Sequence, residues 1–408
     1  YEISRTTDIR QDQMNMRLIL AGRDAVAVDT IASLLMGWDP NSVKHLRYLN
    51  GDGLGNLDPA CIAVAGKKVD EVRKFFAGVT PKAGGEKIAD TVPPGLDVKR
   101  CSAAGDRLTL DLAADPETIK IEIELDGKAV GPAVIEDFAR ITADLGGLAP
   151  GAHTLAIQAY DRFLNRSERL LAVTKEADGS LRIEPVADTA YRAPLAKAAP
   201  AVDGKGTDKC WAAAPWREMK YLWLGTQPAP KDFRGRYKAV WTPDKLYFLV
   251  EITDDKLSDT HRDGLSDYYK DDTLEIFLDE NRSGGDHTYN YNAFAYHIAL
   301  DYQVVDLGPD RRPLYLTDHA EIKRTKRGNV YTWEIALEVY DDRFDDGFAK
   351  NKPIALYPGK RMGVAVAYCD NDGGADRESF MGSEDIPGAD KNVAWQDADV
   401  FGPMVLEE

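Results

Sequence analysis

The residue types able to do chemistry are spread along this chain rather than gathered in one motif. Carboxylates come closest to a pattern. Asp254 and Asp255 end one apolar run, Asp272 opens another and Asp370 closes a third. Oxygen donors at such ends suit a hard divalent cation, and ordinary surface acids are the alternative. Asp271 and Asp272 invite comparison with the carboxylate pair of a glycoside hydrolase, but neighbours on a strand point to opposite faces. Four of the histidines, His261, His287, His297 and His319, have no HxxxH-type spacing, which excludes the usual zinc site. Cys61, Cys101, Cys210 and Cys369 form no CxxC, so zinc fingers, iron–sulfur clusters and thioredoxin motifs are excluded as well. A Cys210–Cys369 bridge and two free buried thiols both remain open, because sequence does not measure the Cα separation a bridge requires. No GxSxG or HExxH run is present. Gly51, Gly53 and Gly55 resemble a phosphate loop superficially, but they do not lie between a strand and a helix, and Asp52 would repel phosphate.

These residues sit in 408 residues that are 44% hydrophobic and 29% charged, the composition of ordered globular protein. The length predicts several domains. No run approaches the roughly 18 to 20 apolar residues of a membrane helix. The opening YEISRTTDIR has no apolar stretch and does not read as a signal peptide. With 68 acids against 51 bases the formal charge is −17. Such a surface repels phosphate backbones, which argues against nucleic acid as a partner and suits neutral ligands and divalent cations.

The elements that must position these residues change in period along the chain. Residues 1–88 read as a small α/β fragment. Val28, Ile31, Leu34 and Leu35 follow Asp24 at helical spacing, with Asp24 as N-cap, and Asp39-Pro40 breaks this helix and opens a second. A strand Ala60–Ala65 and a helix Val69–Phe76 follow. Residues 80–98, rich in Pro, Gly and Ala, read as a linker. From 99 to 186 the period is 2: Ile119, Ile121, Ile123 and Leu125 alternate before an Asp126-Gly127 hairpin turn, and Leu155, Ile157 and Ala159 alternate later. This predicts a small β-sandwich. The stretch LAPGAHTLAIQAYDRFLNRS resembles the late strands of bacterial immunoglobulin-like modules. A second linker is expected over Thr189–Pro200. Beyond it lie six of the seven tryptophans and 14 of the 18 tyrosines, with alternating runs around Tyr247–Ile252, Leu274–Asp279, Trp333–Leu337 and Val364–Tyr368. A larger β-sandwich is expected over 198–408, so the fold class is multidomain and mainly β.

Six segments of this last region occur in one order: VDGKGTDKCWAAAPW, RYKAVWTPDKLYFLVEITDDKL, YYKDDTLEIFLDEN, YTWEIALE, GVAVAYCDND and NVAWQDADVFG. Together they resemble the family 9 carbohydrate-binding modules, β-sandwiches of jelly-roll type related to DOMON domains. LAGRDAVAVDTIASLLMGWDP and LNGDGLGNLDPACIAVAGKKV resemble the end of domain-of-unknown-function family 362, whose larger N-terminal portion is not in this sequence.

The first resemblance implies non-catalytic binding of a polysaccharide or oligosaccharide, in a secreted, periplasmic or cell-surface protein. A sugar presents C–H bonds on its faces and hydroxyls at its rim, so aromatic rings stack on it and polar groups bond its edge. The family's two sandwiching rings fall on Tyr269, or its neighbour Tyr268, and on Trp395. Tyrosine stands where the family more often has tryptophan. For Trp395 the alternative is core packing beside Phe401. Trp211, Trp241 and Trp333 lie in strand patterns and read as core. Glu275 and Asn392 match hydroxyl-bonding positions, Glu275 having a solvated strand carboxylate as its alternative. His297 stands nearest to an expected arginine, or is a structural histidine. Family members often carry structural calcium, for which Asp254, Asp255, Asp272 and Asp370 are the candidate ligands. Two other readings stay open: a glycan-active enzyme whose catalytic part lies in the absent N-terminal portion, and a haem-binding electron-transfer domain using Met219, Met362, Met381 or Met404.

Overall fold

A computed structural model describes residues 16, 18–76, 90–260, 263–347 and 351–408. The chain is mainly β and divides into two compact units, the first running to Asp188 and the second from Thr189 to Glu408. Among the described residues no helix is long and apolar enough to cross a membrane.

In the first unit the Asp24 carboxylate caps the helix Ala25–Leu35 by accepting from Ala27 N at 3.1 Å. Its buried stripe includes Val26, Ile31, Leu34 and Leu35. Asp39 and Pro40 start a short 3-10 turn before the helix Lys44–Gly51. Gly51 ends that helix, and Gly53 and Gly55 follow it. The expected strand at Ala60–Ala65 is absent: Asp58 caps a 3-10 turn, Pro59–Cys61, and among the described residues no strand pairs with the segment. The helix expected to reach Phe76 covers only Val69–Val72. It stops because Arg73 turns out of it, with Nε donating to Leu34 O at 2.9 Å, Nη1 to Asn165 Oδ1 at 2.6 Å and Nη2 to Phe163 O.

The same contact ties the helical segment to the strands that follow it. The segments expected as separate units at 1–88 and 99–186 belong to one, joined also by Lys68 Nζ to Glu122 and Glu124 at 3.2 and 2.8 Å. Most of the expected linker, residues 77–89, lies outside the described residues, and the strand Leu96–Ala104 already begins inside its end. Sheets of three and five strands then enclose Leu108, Leu110, Ile121, Ile123, Leu155 and Ile157. The turn between Lys120–Leu125 and Lys128–Ala129 is the expected Asp126-Gly127, with φ of 50° and 73°, the left-handed pair that a two-residue hairpin favours.

The second unit packs a five-stranded sheet against a nine-stranded one. The five-stranded sheet runs Arg217–Met219, Phe233–Trp241, Leu246–Asp254, Val330–Leu337 and Ala320–Arg327 in spatial order. At the centre of the other, Thr273–Asp279 lies between Arg361–Asp370 and Phe294–Ile298. Trp241, Trp333, Phe248, Leu274, Ile276, Leu278, Val364 and Val366 are among the residues that fill the core. Burial at roughly 25 cal/mol per Å2 of apolar surface makes this interface the main source of stability. Trp211 also packs as core, 3% exposed, on the outer side with Val240, Tyr247 and Leu249.

The second expected linker is not a linker throughout. Tyr191–Pro194 is a strand that pairs in parallel with Gly402–Glu407, so this unit starts near residue 189 rather than 198. Tyr191 and Ala193 are buried and Arg192 reaches Glu407 at 2.7 Å. The Ala/Pro composition hid a period of 2 only four residues long.

Two of the family-like segments meet here. Glu334 in YTWEIALE is 1% exposed, and its carboxylate accepts from the backbone N–H groups of Asp203, Gly204, Lys205 and Gly206 and from Trp211 Nε1 at 2.8–3.2 Å. Gly204 takes φ of 77° there, and an added Cβ would stand 3.0 Å from the backbone of Arg324 and Thr325, so the turn requires glycine.

Candidate functional site

The nine-stranded sheet has an outer face as well as a core face. On Thr273–Asp279, Leu274, Ile276 and Leu278 enter the core, while Glu275 and Phe277 point the other way, as alternation requires. Glu275 is not solvated: it is 1% exposed. His297 stands opposite it on one neighbouring strand and Ala367 on the other. His297 Nε2 lies 3.4 Å from Glu275 Oε2, and the Cys369 thiol donates to Oε1 at 3.0 Å. Burial beside this carboxylate pushes the Cys369 thiol well above its ordinary range.

Arg377 organises the site, and the sequence reading missed it. Its guanidinium lies 3.5 Å from Glu275 Oε1, donates to Cys369 Sγ at 3.0 Å and to Asn392 Oδ1 at 3.3 Å, and sits 5.4 Å from the centre of the Tyr269 ring. Arg377 Nε is buried without a hydrogen-bond partner among the described residues. The strand after YYKDD, where the family resemblance implies an arginine, carries His297. Arg377 instead reaches the face from the turn before Ser379–Gly382, and no local spacing announces that.

Tyr269 is 36% exposed, whereas Tyr268 is partly buried, edge-on to His297 at 4.8 Å. Burial pushes the Tyr268 hydroxyl above its ordinary pKa. Trp395 is partly buried against a cluster that includes Phe277, Ala394 and Phe401. Its segment is pinned by His287, whose Nε2 lies 2.8 Å from Ala394 O and whose N donates to Gln396 O at 2.9 Å. Tyr268, Tyr269, Glu275, His297 and Asn392 thus share one contact network through Arg377 and Glu275, and Trp395 and Asn392 lie on one covering segment.

Three of the four expected cation ligands meet at one end of the sandwich. Asp254, Asp272 and Asp370 are each at most 2% exposed and offer oxygens within 4.8 Å of one another. Burial first, and then repulsion from neighbouring carboxylates (Asp372 and Asp255 for Asp254, Asp254 for the other two), raises all of their pKa values: Asp272 is pushed up to about 9 and Asp370 to about 7. Among the described residues no lysine or arginine forms an ion pair with any of the three. Three buried carboxylates without a counter-charge fit a hard cation. Asp255 is not in this triad. It lies in an outer group with Asp232 and Asp372, while Asp232 and Glu378 also approach Asp370. Asp271 turns away from Asp272 to Thr260, accepting from its N at 2.9 Å, so the two do not act as a catalytic pair.

All four cysteines are free. Cys369 faces the outer side of the nine-stranded sheet, whereas Cys210 packs on the outer side of the five-stranded one, so the core separates them. Met219, Met362, Met381 and Met404 are core residues, at most 3% exposed.

No curated protein matches the chain. Among solved structures, a family 9 carbohydrate-binding module from Caldicellulosiruptor kristjanssonii in complex with cellotriose is similar at 21% identity, over 53% of this chain and 93% of that one, with a TM-score of 0.38. The module from the same organism in complex with glucose is similar at 22% identity, over 53% and 95%, with the same TM-score. A family model, carbohydrate family 9 binding domain-like, matches residues 202–408. With half of its length matched, the chain belongs to the carbohydrate family 9 binding domain-like family.

Proposed function

We propose that the second unit is a non-catalytic carbohydrate-binding module of an exported multidomain protein. One terminal sugar lies between Tyr269 and Trp395. Arg377 and Asn392 bond its hydroxyls, and the buried Glu275 and His297 hold Arg377 in place. The observation that carries this reading is the position of Arg377, a buried guanidinium with an unpartnered Nε, against both the exposed Tyr269 ring and Asn392. Stacking plus a fixed polar group is what a sugar ring requires. Exposure favours Tyr269 over Tyr268 as the platform.

Calcium held by Asp254, Asp272 and Asp370 serves stability alone in this reading, tying together the ends of three strands. The immunoglobulin-like segment of the first unit serves as a spacer. Cellotriose and glucose, the sugars in the two related complexes, are the first ligands to test. Titration calorimetry on the full chain should show binding that Tyr269→Ala and Trp395→Ala remove while the circular dichroism spectrum stays unchanged. A glycan array with no bound sugar, or binding indifferent to both substitutions, overturns the reading.

A further inference from the structure

The second unit has another cleft, away from the Arg377 face, of about 510 Å3. It opens between the two sheets, where the edge strand Ala320–Arg327 faces the turn around Tyr302. Lys256, Leu257, Tyr302, Arg324, Lys326 and Tyr331 line it. Its charge runs against that of the whole chain. Lys323, Arg324, Lys326 and Arg327 fall within five residues of a protein with a net charge of −17, and among the described residues none of them forms an ion pair. One carboxylate, Asp255, stands at the rim, in the outer acidic group described above.

Arg324 is the informative residue. Its guanidinium lies 4.6 Å from the ring centre of Trp333 and 5.7 Å from that of Tyr331, a position that orients it. Its Nη1 is buried and has no acceptor among the described residues, and neither has the adjacent Trp333 Nε1. Lys326 Nζ stands 4.7 Å over the Tyr331 ring. Tyr302 takes φ of 74°, unusual for a tyrosine. Its hydroxyl accepts from Arg324 N at 3.3 Å, and its ring stands edge-on to Trp333 at 6.2 Å.

Charges on an edge strand protect it from pairing with other chains. That accounts for the exposed Lys323 and Arg327. It does not account for a buried guanidinium nitrogen without an acceptor in a cleft walled by tyrosines, since an unmade bond there is costly.

We infer that this cleft is a second ligand site, for a sugar unit bearing a carboxylate, such as a uronate. The planar guanidinium of Arg324 matches a carboxylate in geometry, Lys326 adds charge, and the tyrosine rings supply apolar surface for the sugar body; Lys256 Nζ, also at the cleft, already donates to Asp372 O. The site is independent of the one at Tyr269 and Trp395.

The test is calorimetry on the full chain with an oligogalacturonate, the matching neutral galacto-oligosaccharide, and inorganic sulfate. The expected result is binding of the oligogalacturonate that weakens with salt, with little binding of the neutral sugar. Arg324→Gln should weaken it roughly 10- to 150-fold, the range for a charge-assisted hydrogen bond, and the surface change Lys326→Gln should weaken it less. Trp395→Ala should leave it unchanged. Unaltered binding in both cleft variants overturns the proposal. Loss in Trp395→Ala places the uronate on the other face and also overturns it. Sulfate that binds as tightly as the oligogalacturonate reduces the cleft to a bare anion site, which excludes the saccharide claim. Because Arg324 packs on Trp333, a melting curve accompanies each variant, and Lys326→Gln keeps the test decisive if Arg324→Gln does not fold.

Discussion

Arg377 donates to Asn392 Oδ1 at 3.3 Å, and this bond joins the outer sheet face to the segment that covers it. The same guanidinium faces Glu275 and the Tyr269 ring. One buried cation therefore touches a ring and a carboxylate from the segment 268–281 and an amide from the segment that begins at Asn392.

Trp395 is partly buried and packs against the cluster that contains Phe401, and under the proposed function its remaining surface goes to the sugar. Trp395→Ala should lower sugar affinity by roughly 10- to 150-fold, the loss of about 1–3 kcal/mol of aromatic stacking. Its melting temperature should stay close to that of the wild type. Calorimetry and a thermal melt check both, and a collapse of the fold would return Trp395 to the core.

Arg377 also has a stabilising role. Removing it leaves the Glu275 side chain, 2% exposed, with only His297 and Cys369 beside it. Arg377→Ala should cost about 3–5 kcal/mol, as for one partner removed from a buried charge pair, whereas Arg377→Ala with Glu275→Gln should recover part of that. Urea denaturation of the two variants measures the difference.

The acidic triad gives a pH dependence of definite sign. Asp254, Asp272 and Asp370 have folded-state pKa values raised above the ordinary carboxylate value of 3.8. The folded chain then holds more protons than the unfolded chain, so without metal these groups make stability fall as pH rises from about 4 towards about 9. Calcium needs the ionised carboxylates, so its stabilisation should grow over the same range. Melting curves at pH 5 and pH 8, with a chelator and with calcium, should show a larger calcium shift at pH 8. An absence of any shift at either pH would remove the cation from the account.

His319 acts in the opposite sense. It is 2% exposed among Phe294, Tyr296, Tyr340 and Phe344, and burial lowers its pKa from 6.5 to about 4. The unfolded chain takes up the proton first, so this contribution is present above pH 6.5 and is lost as pH falls towards 4. The loss amounts to about 3 kcal/mol. His319→Phe should flatten the decline in stability between pH 6.5 and 4, read by denaturant titration at each pH.

The strands of both sandwiches were legible in the sequence because alternation is a local property. Leu274, Ile276 and Leu278 face the core and Glu275 does not, as the period of 2 requires. Trp241 and Trp333 are core for the same reason, whereas Trp211, expected in a strand, is buried from the 3-10 turn Lys209–Ala212. Asp24 as a helix cap and Asp126-Gly127 as a turn were also readable, since each acts within a few residues.

Other features depend on partners distant in the chain. The helix at Val69 stops early because Arg73 bonds to Asn165, and Tyr191–Pro194 is a strand because Gly402–Glu407 lies beside it. Asp254, Asp272 and Asp370 each appeared as a strand-end acid, but only the pairing of their strands shows which three oxygens converge and that Asp255 points to another group. Arg377 lay in a polar turn with no periodic signal, and sheet register alone brings it over Cys369 and Glu275. The sequence determined the alternation and the residue types available to a site. The tertiary structure decided which of them stand within bonding distance, because charge pairing, desolvation and cation coordination act through space between residues that the chain separates by about a hundred positions.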